Sequence, residues 1–420
     1  MKETFLEELR WRGLLQQHTP NFEYLLTLPE QKAYIGFDPT AESLTIGNLV
    51  TVMLLKFWQK HGHTAIVVLG GATGRIGDPS GKQEERNLLD ISTINQNIQK
   101  QQQQFVHLLG EDILLLDNFQ WYKDMNTLMF LRDIGKYLTV NYMSAKDSVT
   151  SRIDTGMSFT EFSYQLLQAY DFNFLYNNYG CNIQFGGADQ WGNMTSGMDL
   201  IRKMSGGNVG VLTCPLLTKS DGNKFGKSET GNIWLDKTMT SPYKFYQFFL
   251  NTSDEDAVRF IKIFTLLDQA SINIVIQQQQ LAPHLRILQK TLAQHITELV
   301  HNRAMRITAE KTTELLFGKV TTEMILHLTI CDLQSLSSEI PMKVMNISTL
   351  PINVVDILVV NNFISSKTEA KKHIQNAAIT INQHKILDNT RMIDNTWLLF
   401  DKYILLRFGK KQFGIIDVVQ

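Results

Sequence analysis

Cysteine is scarce. Three in 420 residues, Cys181, Cys214 and Cys331, lie far apart and form no CxxC pair. They argue against a disulfide framework and against a thiolate zinc site, and they fit a reducing compartment. Long apolar runs are missing too. No stretch approaches the roughly 20 residues a membrane-spanning helix needs, so a chain that is 43% hydrophobic and 19% charged is expected to be soluble and to have no membrane partner. The first ten residues mix acidic and basic side chains without the apolar centre of a secretory signal, which makes the cytoplasm the expected location. Net charge is only −1, but residues 351–420 hold nine Lys or Arg against six Asp or Glu. That excess is too small to prove an anionic partner, yet it suggests where a nucleic acid would lie. A Walker phosphate loop is absent as well, because its backbone needs four residues between Gly and Gly-Lys-Ser/Thr. Gly77 to Gly81 leaves three, with Gln83 after Lys82; Gly222 to Gly226 also leaves three, although Lys227 and Ser228 follow. A Walker-type nucleotide hydrolase is therefore disfavoured.

What the chain does contain is length and alternation. Four hundred and twenty residues exceed one hydrophobic core and suggest two or three domains. Short apolar runs at 33–37, 65–69, 113–116, 182–185 and 209–212 read as strands, and most are separated by helix-length spacers. That is the pattern of βαβ units in an α/β fold with a doubly wound parallel sheet. Residues 49–58 are apolar almost all round, as a buried crossover helix requires. A glutamine-rich piece that includes Gln101 to Gln104 keeps Ile94, Ile98, Phe105 and Leu109 at helical spacing, so it reads as a helix with a polar face. A second glutamine run, Gln277 to Gln280, precedes Pro283 and is expected to lead into a helix start. The expected domains are a Rossmann-like α/β domain at 1–220, a mobile loop and all-α domain at 221–334, a Ser/Pro-marked linker at 335–350, and a small α/β module at 351–420.

Three motifs bear on chemistry. The glycine-rich segment 69–82 follows a strand, where such sheets open their ligand crevice, but alone it is equally an irregular loop needing positive φ. In Lys224-Phe-Gly-Lys-Ser228, two lysines three apart could converge on a polyphosphate, while an isolated pair of this kind is more often a solvated turn. The stretch 159–175 opens with Ser158 and Glu161 in capping-box spacing and reads as a helix. Tyr164, Gln168 and Asp171 share one face of it, which is either a solvent stripe or a pocket wall.

Together these segments resemble the bacterial tyrosyl-tRNA synthetases, a class I aminoacyl-tRNA synthetase family. The resemblance rests on Tyr34-Ile-Gly-Phe-Asp-Pro-Thr40, Gly70-Gly-Ala-Thr-Gly with Gly77-Asp-Pro-Ser80, the run from Phe162 to Asp171, Gly186-Gly-Ala-Asp-Gln-Trp-Gly192 and Lys224-Phe-Gly-Lys-Ser228, in the family's order. It implies a catalytic domain that activates L-tyrosine with ATP and Mg2+, releases pyrophosphate, and passes the tyrosyl group to the 3′ end of tRNA(Tyr). Tyr34 and Asp171 would hold the phenol, Asp38, Asp78, Tyr164 and Gln168 the ammonium group, and Gln190 the carboxylate. Gly36, Gly47 and Gly187 would admit the nucleotide, Asp189 its ribose, and Thr40, Lys224 and Lys227 its phosphates. No tightly bound cofactor or resident metal site is implied, and a homodimer is. The C-terminal module, with Ser366-Lys-Thr-Glu-Ala-Lys-Lys372, looks like a small RNA-binding fold, making Lys367, Lys371, Lys372, Lys385, Arg407, Lys410 and Lys411 candidate phosphate contacts.

One departure matters. Where the family commonly reads His-Ile-Gly-His, this chain has Thr45-Ile-Gly-Asn48. Asn48 keeps an amide donor; Thr45 keeps only a short hydroxyl, which reaches the γ-phosphate only through a bridging water. Thr45 is therefore expected to slow adenylate formation without abolishing it. The departure also keeps open an RNA-binding or splicing-type protein on a synthetase scaffold with weakened catalysis.

Overall fold

The strand-forming runs of the N-terminal half join into one six-stranded sheet. In a computed structural model that describes residues 3–81, 88–150, 152, 156–220, 222, 225–228, 231–318, 328–382, 384–409 and 412–419, the strands are Gln17–His18 (β1), Lys32–Phe37 (β2), Thr64–Leu69 (β3), Leu114–Asp117 (β4), Ile183–Gly187 (β5) and Gly210–Cys214 (β6). Their order is β1-β6-β5-β2-β3-β4. All neighbours run parallel except β1, which pairs antiparallel with β6. β2 thus has its sequence successor β3 on one side and β5 on the other. That reversal opens a crevice at the carboxyl ends of the strands. The helix Ile46–Lys60 crosses from β2 to β3 with Leu49, Met53, Leu54, Phe57 and Trp58 wholly buried. β3 is buried along five of its six residues, as expected of a parallel strand covered on both faces.

Two compact units make up the chain: Met1–Ser241 with Phe248–Val300, and Pro242–Gln247 with His301–Gln420. In the second, a five-stranded sheet runs in the order His384–Lys385, Ile379–Ile381, Tyr403–Phe408, Gln412–Val419, Met342–Asn346. Helices Val354–Val360 and Lys367–Gln375 pack on it through Val354, Ile357, Leu358, Ala370 and Ile374.

The structure corrects the reading of 335–350 as a linker. Helix Ile330–Ser337 covers its start, and Met342–Asn346 is an edge strand parallel to Gln412–Val419. The helical region expected at 221–334 is divided as well. Leu315, Leu333 and Leu336 cluster with Tyr403, Leu405, Phe413 and Ile415, so apolar packing draws helices Arg303–Phe317 and Ile330–Ser337 onto the C-terminal sheet. The second glutamine run ends helix Gln269–Leu281, where buried Gln279 donates to Asp254, and it leads as expected into a helix start: Pro283 opens a short 3-10 turn and helix Ile287–Val300 follows, with Leu288, Leu292 and Ile296 buried.

One buried ion cluster fastens the N-terminal helix Phe5–Arg12 to the rest of its unit. Glu8 and Arg12 are both buried and 2.8 Å apart; Lys60 and His61 also reach Glu8, at 2.5 and 2.7 Å. Arg12 donates to the carbonyls of Lys262, Thr265 and Leu267. Removing one member of such a cluster exposes buried charge and carbonyls without partners. Arg12→Ala is expected to destabilise this unit by about 3 kcal/mol or more in urea unfolding. A change within about 0.5 kcal/mol, the range of ordinary surface substitutions, would contradict this account.

Candidate active site

The crevice at the carboxyl ends of β2 and β5 holds a cavity of about 290 Å³. Tyr34, Asp38, Tyr164, Gln168, Asp171 and Gln190 all line it. The polar stripe of helix Phe159–Tyr179 therefore faces the sheet and not solvent.

At the floor, Tyr34 is 1% exposed and its hydroxyl has no hydrogen-bond partner among the described residues. Burial, then the neighbouring Asp171, push its phenol well above the ordinary range, so it stays protonated. The Asp171 carboxylate is buried and accepts from Trp121 Nε1 at 2.8 Å, Tyr122 at 2.9 Å and Asn118 Nδ2 at 3.1 Å. A carboxylate has about four acceptor positions, so one remains for a further donor. Burial raises its pKa to about 7 against the pull of those three donors, with Asp38 adding repulsion.

From this floor a line of hydrogen bonds runs across the cavity. Asn118 donates to Thr73 Oγ1 at 2.9 Å, Thr73 donates to Asp38 Oδ1 at 2.8 Å, and Tyr164 donates to Asp38 Oδ2 at 2.9 Å. Gly70 must be glycine beneath this line, since a Cβ there would collide with Asp38 Oδ1 and Thr73 Oγ1. Opposite, Gln190 Nε2 donates to the buried Asp78 at 2.7 Å, and Gln168 Nε2 approaches Gln190 Oε1 at 3.4 Å. Asp78 therefore stands behind Gln190 and does not line the cavity. Two more buried oxygens without partners, Gln168 Oε1 and Gln184 Oε1, belong to lining residues. Buried polar atoms left unpaired are rare enough in proteins to need an explanation, and of the twelve among the described residues three belong to side chains that line this one cavity.

The mouth is built from the start of helix Ile46–Lys60. Thr45 is its N-cap, and Thr45 and Asn48 form a reciprocal capping box. The Thr45 N–H and hydroxyl both donate to Asn48 Oδ1, at 2.9 and 2.8 Å, while Asn48 N–H donates weakly back to Thr45 Oγ1 at 3.4 Å. Thr45 does not line the cavity; Asn48 does, and its Nδ2 has no acceptor among the described residues. The Thr45 hydroxyl hydrogen is committed to Asn48, in keeping with the expectation that Thr45 does not reach a phosphate directly. Thr40 is exposed and outside the lining. Gly36 and Gly47 face open space, as a Cβ on Gly36 would meet nothing within 4 Å and one on Gly47 only Thr45 Oγ1 at 3.4 Å. Gly187 lines the same wall, with exposed Asp189 at the rim.

The loop bearing the lysine motif is anchored to this helix start. Ile46 N–H donates to Ile233 O, Ile233 N–H to Gly226 O, and Leu235 N–H to Leu44 O. Phe225 is buried against Phe260 and Phe264, with ring centroids at 4.7 and 5.3 Å. Gly226 has φ of 89°, and a Cβ there would press on Ile46 Cγ1 at 3.1 Å. Lys227 sits in the short strand Lys227–Ser228, and Lys224 lies outside the described residues.

Sequence reasoning missed Thr73, Asn118, Trp121, Tyr122 and Gln184. It also missed what the glutamine-rich helix Ile91–Leu109 does. Asn97 donates to Pro39 O, Gln101 to Ala41 O and Gln104 to Ser43 Oγ, while Leu44 N–H donates to Gln104 Oε1. These bonds hold the loop between Asp38 and Thr45. Among the described residues, no group of three or more His, Cys, Asp or Glu side chains could hold a metal ion, and no helix is long and apolar enough to cross a membrane.

In the C-terminal unit, Lys371 and Lys372 are exposed on helix Lys367–Gln375, and Lys367 pairs with Asp356 at 2.6 Å. Lys385 is exposed, Arg407 is half-buried on strand Tyr403–Phe408, and Lys410 and Lys411 lie outside the described residues.

Comparison with known proteins agrees with this arrangement. Residues 29–318 match the family model described as tRNA synthetases class I (W and Y), and residues 332–416 match the C-terminal domain of tyrosine–tRNA ligases. The chain is 48% identical to the tyrosine–tRNA ligase of Porphyromonas gingivalis over 427 residues, covering 99% of each. It is 48% identical to that of Cytophaga hutchinsonii over 424 residues, again with 99% of each chain covered. Among solved structures, a C-terminally truncated mitochondrial tyrosyl-tRNA synthetase of Aspergillus nidulans is similar with a TM-score of 0.69 and 31% identity, covering 75% of this chain and 95% of that one.

The elevated pKa of Asp171 makes a measurable demand. In the unfolded chain this carboxyl ionises near pH 4, whereas in the folded chain it stays neutral until about 7, so it opposes folding increasingly as pH rises through that window. Asp171→Asn removes that opposition. The difference in melting temperature, variant minus wild type, is therefore expected to be more positive at pH 8 than at pH 5. A difference independent of pH would contradict this.

Proposed function

Because this chain belongs to the class I tyrosyl-tRNA synthetases, we propose that its cavity holds tyrosine with the phenol on Tyr34 and Asp171 and the carboxylate and ATP towards Asn48. Its activity is ATP-dependent ligation of tyrosine to tRNA, in which tyrosine attacks the α-phosphorus of ATP, pyrophosphate leaves, and the tyrosyl group passes to the 3′ end of tRNA(Tyr). The observation that carries the residue assignment is the set of buried oxygens without partners on Tyr34, Gln168 and Gln184.

A phenol fits the floor because it both donates and accepts: its hydrogen goes to the open position on Asp171 and its oxygen receives from Tyr34. Phenylalanine would leave both groups buried and unpaired. Discrimination against it of about 10⁵ is a magnitude known for tyrosyl-tRNA synthetases themselves, and this cavity contains the groups it calls for. The ammonium group is met by Asp38, Tyr164 and Gln168 Oε1, with Asp78 acting through Gln190, which receives the carboxylate. Gly36, Gly47 and Gly187 leave room for the nucleotide, and Asp189 accepts from its ribose.

The nucleophile is already ionised, so catalysis rests on alignment and charge neutralisation and not on a tuned base. The Asn48 side-chain amide, the Gly47 N–H and the positive end of helix Ile46–Lys60, Thr40, and the lysines Lys224 and Lys227 supply the positive side. Magnesium, entering on the ATP phosphates, supplies further charge neutralisation. Thr45 positions Asn48: its donation to Oδ1 fixes which end of the amide faces the cavity.

Transfer to tRNA implies a basic surface on the C-terminal unit, for which Lys367, Lys371, Lys372, Lys385, Arg407, Lys410 and Lys411 are the proposed contacts. A homodimer is supported by Leu128, Met129, Leu131 and Val140, all exposed on and beside helix Thr127–Asp133, since neighbouring exposed apolar side chains favour a partner. The proposed location is the cytoplasm, on the chain's likeness to bacterial tyrosine–tRNA ligases.

Two measurements of pyrophosphate exchange into ATP test these assignments. Wild type is expected to exchange with tyrosine and not with phenylalanine; exchange without regard to the amino acid would overturn the pocket. Thr45→Val is expected to slow adenylate formation about tenfold in single-turnover kinetics, with little change in the dissociation constant for tyrosine, because it removes the hydroxyl, one of the two donors that hold Asn48 Oδ1, and leaves only the backbone N–H to orient the amide. An unchanged rate would remove Thr45 from the mechanism.

A further inference from the structure

A second cavity, about 770 Å³, opens in the C-terminal unit between strand His384–Lys385 and the segment from Asp388 to Phe400. Its volume falls within the span of about 300–1,000 Å³ usual for small-ligand sites. The residues lining it are not those of an apolar gap. The guanidinium of Arg391 lies over the Trp397 ring at 5.3 Å, and His384 meets the same ring edge-on at 5.5 Å. Lys385 and Arg391 are exposed at the rim, and the lining's one acid, Asp388, is occupied by the N–H and hydroxyl of Thr390. The indole N–H of Trp397 has no acceptor among the described residues.

The wall is held under backbone strain. Asn382, at φ of 44°, ties it together: its Nδ2 donates to Trp397 O, and its Oδ1 accepts from Leu405 N–H. Phe400 and Asp401, both at φ of 54°, form the tight turn between Leu399 and Tyr403. That conformation favours Asn-Gly and is a genuine outlier for a bulky residue. It keeps Phe400 44% exposed at the cavity edge. Strain of this kind persists where the surrounding structure enforces it, and it concentrates at ligand sites.

We propose that this cavity takes one unstacked nucleotide of the RNA strand, its base stacking beside Trp397 and Arg391 and its phosphates meeting Lys385 and the Arg391 rim. This rests on the reading of the C-terminal unit as RNA-binding and adds to it a place where a base, and not only the backbone, is held. The chemistry selects the occupant. A ring with an adjoining guanidinium is the usual platform for a single-stranded base, with cations beside it for the backbone. An acidic peptide would use the cations and leave the Trp397 platform and its free indole N–H unused.

The test uses the full-length protein and a tRNA(Tyr) transcript, with the dissociation constant measured over a range of salt. Trp397→Ala and Arg391→Gln are each expected to weaken binding about tenfold, and Trp397→Phe, which keeps a ring, to recover most of the loss. The salt dependence of the Trp397→Ala protein should match wild type, because no phosphate contact is lost. Arg391 is exposed, so its variant reports on the site even if Trp397→Ala perturbs folding, which circular dichroism will show. If both variants bind like wild type while paired Lys371→Glu and Lys372→Glu weakens binding, the cavity proposal is overturned and the RNA-binding reading stands. If none of the variants affects binding, both fall.

Discussion

The cavity depends on one line of hydrogen bonds, from Tyr164 through Asp38, Thr73 and Asn118 to Asp171. It joins the group that would hold an amino acid's charged end to the group that would hold its side-chain end. Each link draws on a different segment: β2 and the turn after it, the glycine-rich turn after β3, the residue after β4, and helix Phe159–Tyr179. Two carboxylates close enough to repel one another are kept apart and oriented by neutral donors between them. A substrate entering this frame meets acceptors and donors already aimed, which is why the ordering cost of binding is met largely during folding.

The same logic operates at the mouth. A helix start is stabilised by the Thr45–Asn48 box, and that box fixes the direction of the Asn48 side-chain amide at the cavity mouth. The loop carrying the lysines is tied to the same helix start through Ile46, Ile233 and Gly226, while Phe225 roots it among Phe260 and Phe264. The glutamine-rich helix contributes from behind, pinning residues 39–44 through their carbonyls and Ser43.

Much of this was legible in the sequence. β2, β3 and the run Tyr403–Phe408 stood out because buried strands produce apolar stretches, and the spacing of Tyr164, Gln168 and Asp171 put three polar groups on one helix face without deciding between solvent and a pocket. The strand Met342–Asn346 was not legible, because its burial alternates while its residue types do not: Lys343 and Met345 are the covered positions, and the apolar Met342 and Val344 are exposed. Asn118, Trp121 and Tyr122 lie on a four-residue helix and beside it, too short for any period, and they reach Asp171 across about 50 positions of sequence. Thr45 was visible as a departure from the family pattern, yet where its hydroxyl points is decided by the cap and only coordinates show it.

The central claim is that the unpaired hydroxyl of Tyr34 awaits a phenol. Calorimetric binding of L-tyrosine and L-phenylalanine to wild type and to Tyr34→Phe addresses it directly. Loss of one hydrogen bond to a buried polar partner should weaken tyrosine binding by about tenfold or more, while phenylalanine, which never used that hydroxyl, should bind no worse. Equal tyrosine affinity in the two proteins, or an equal loss for both amino acids, would contradict the account.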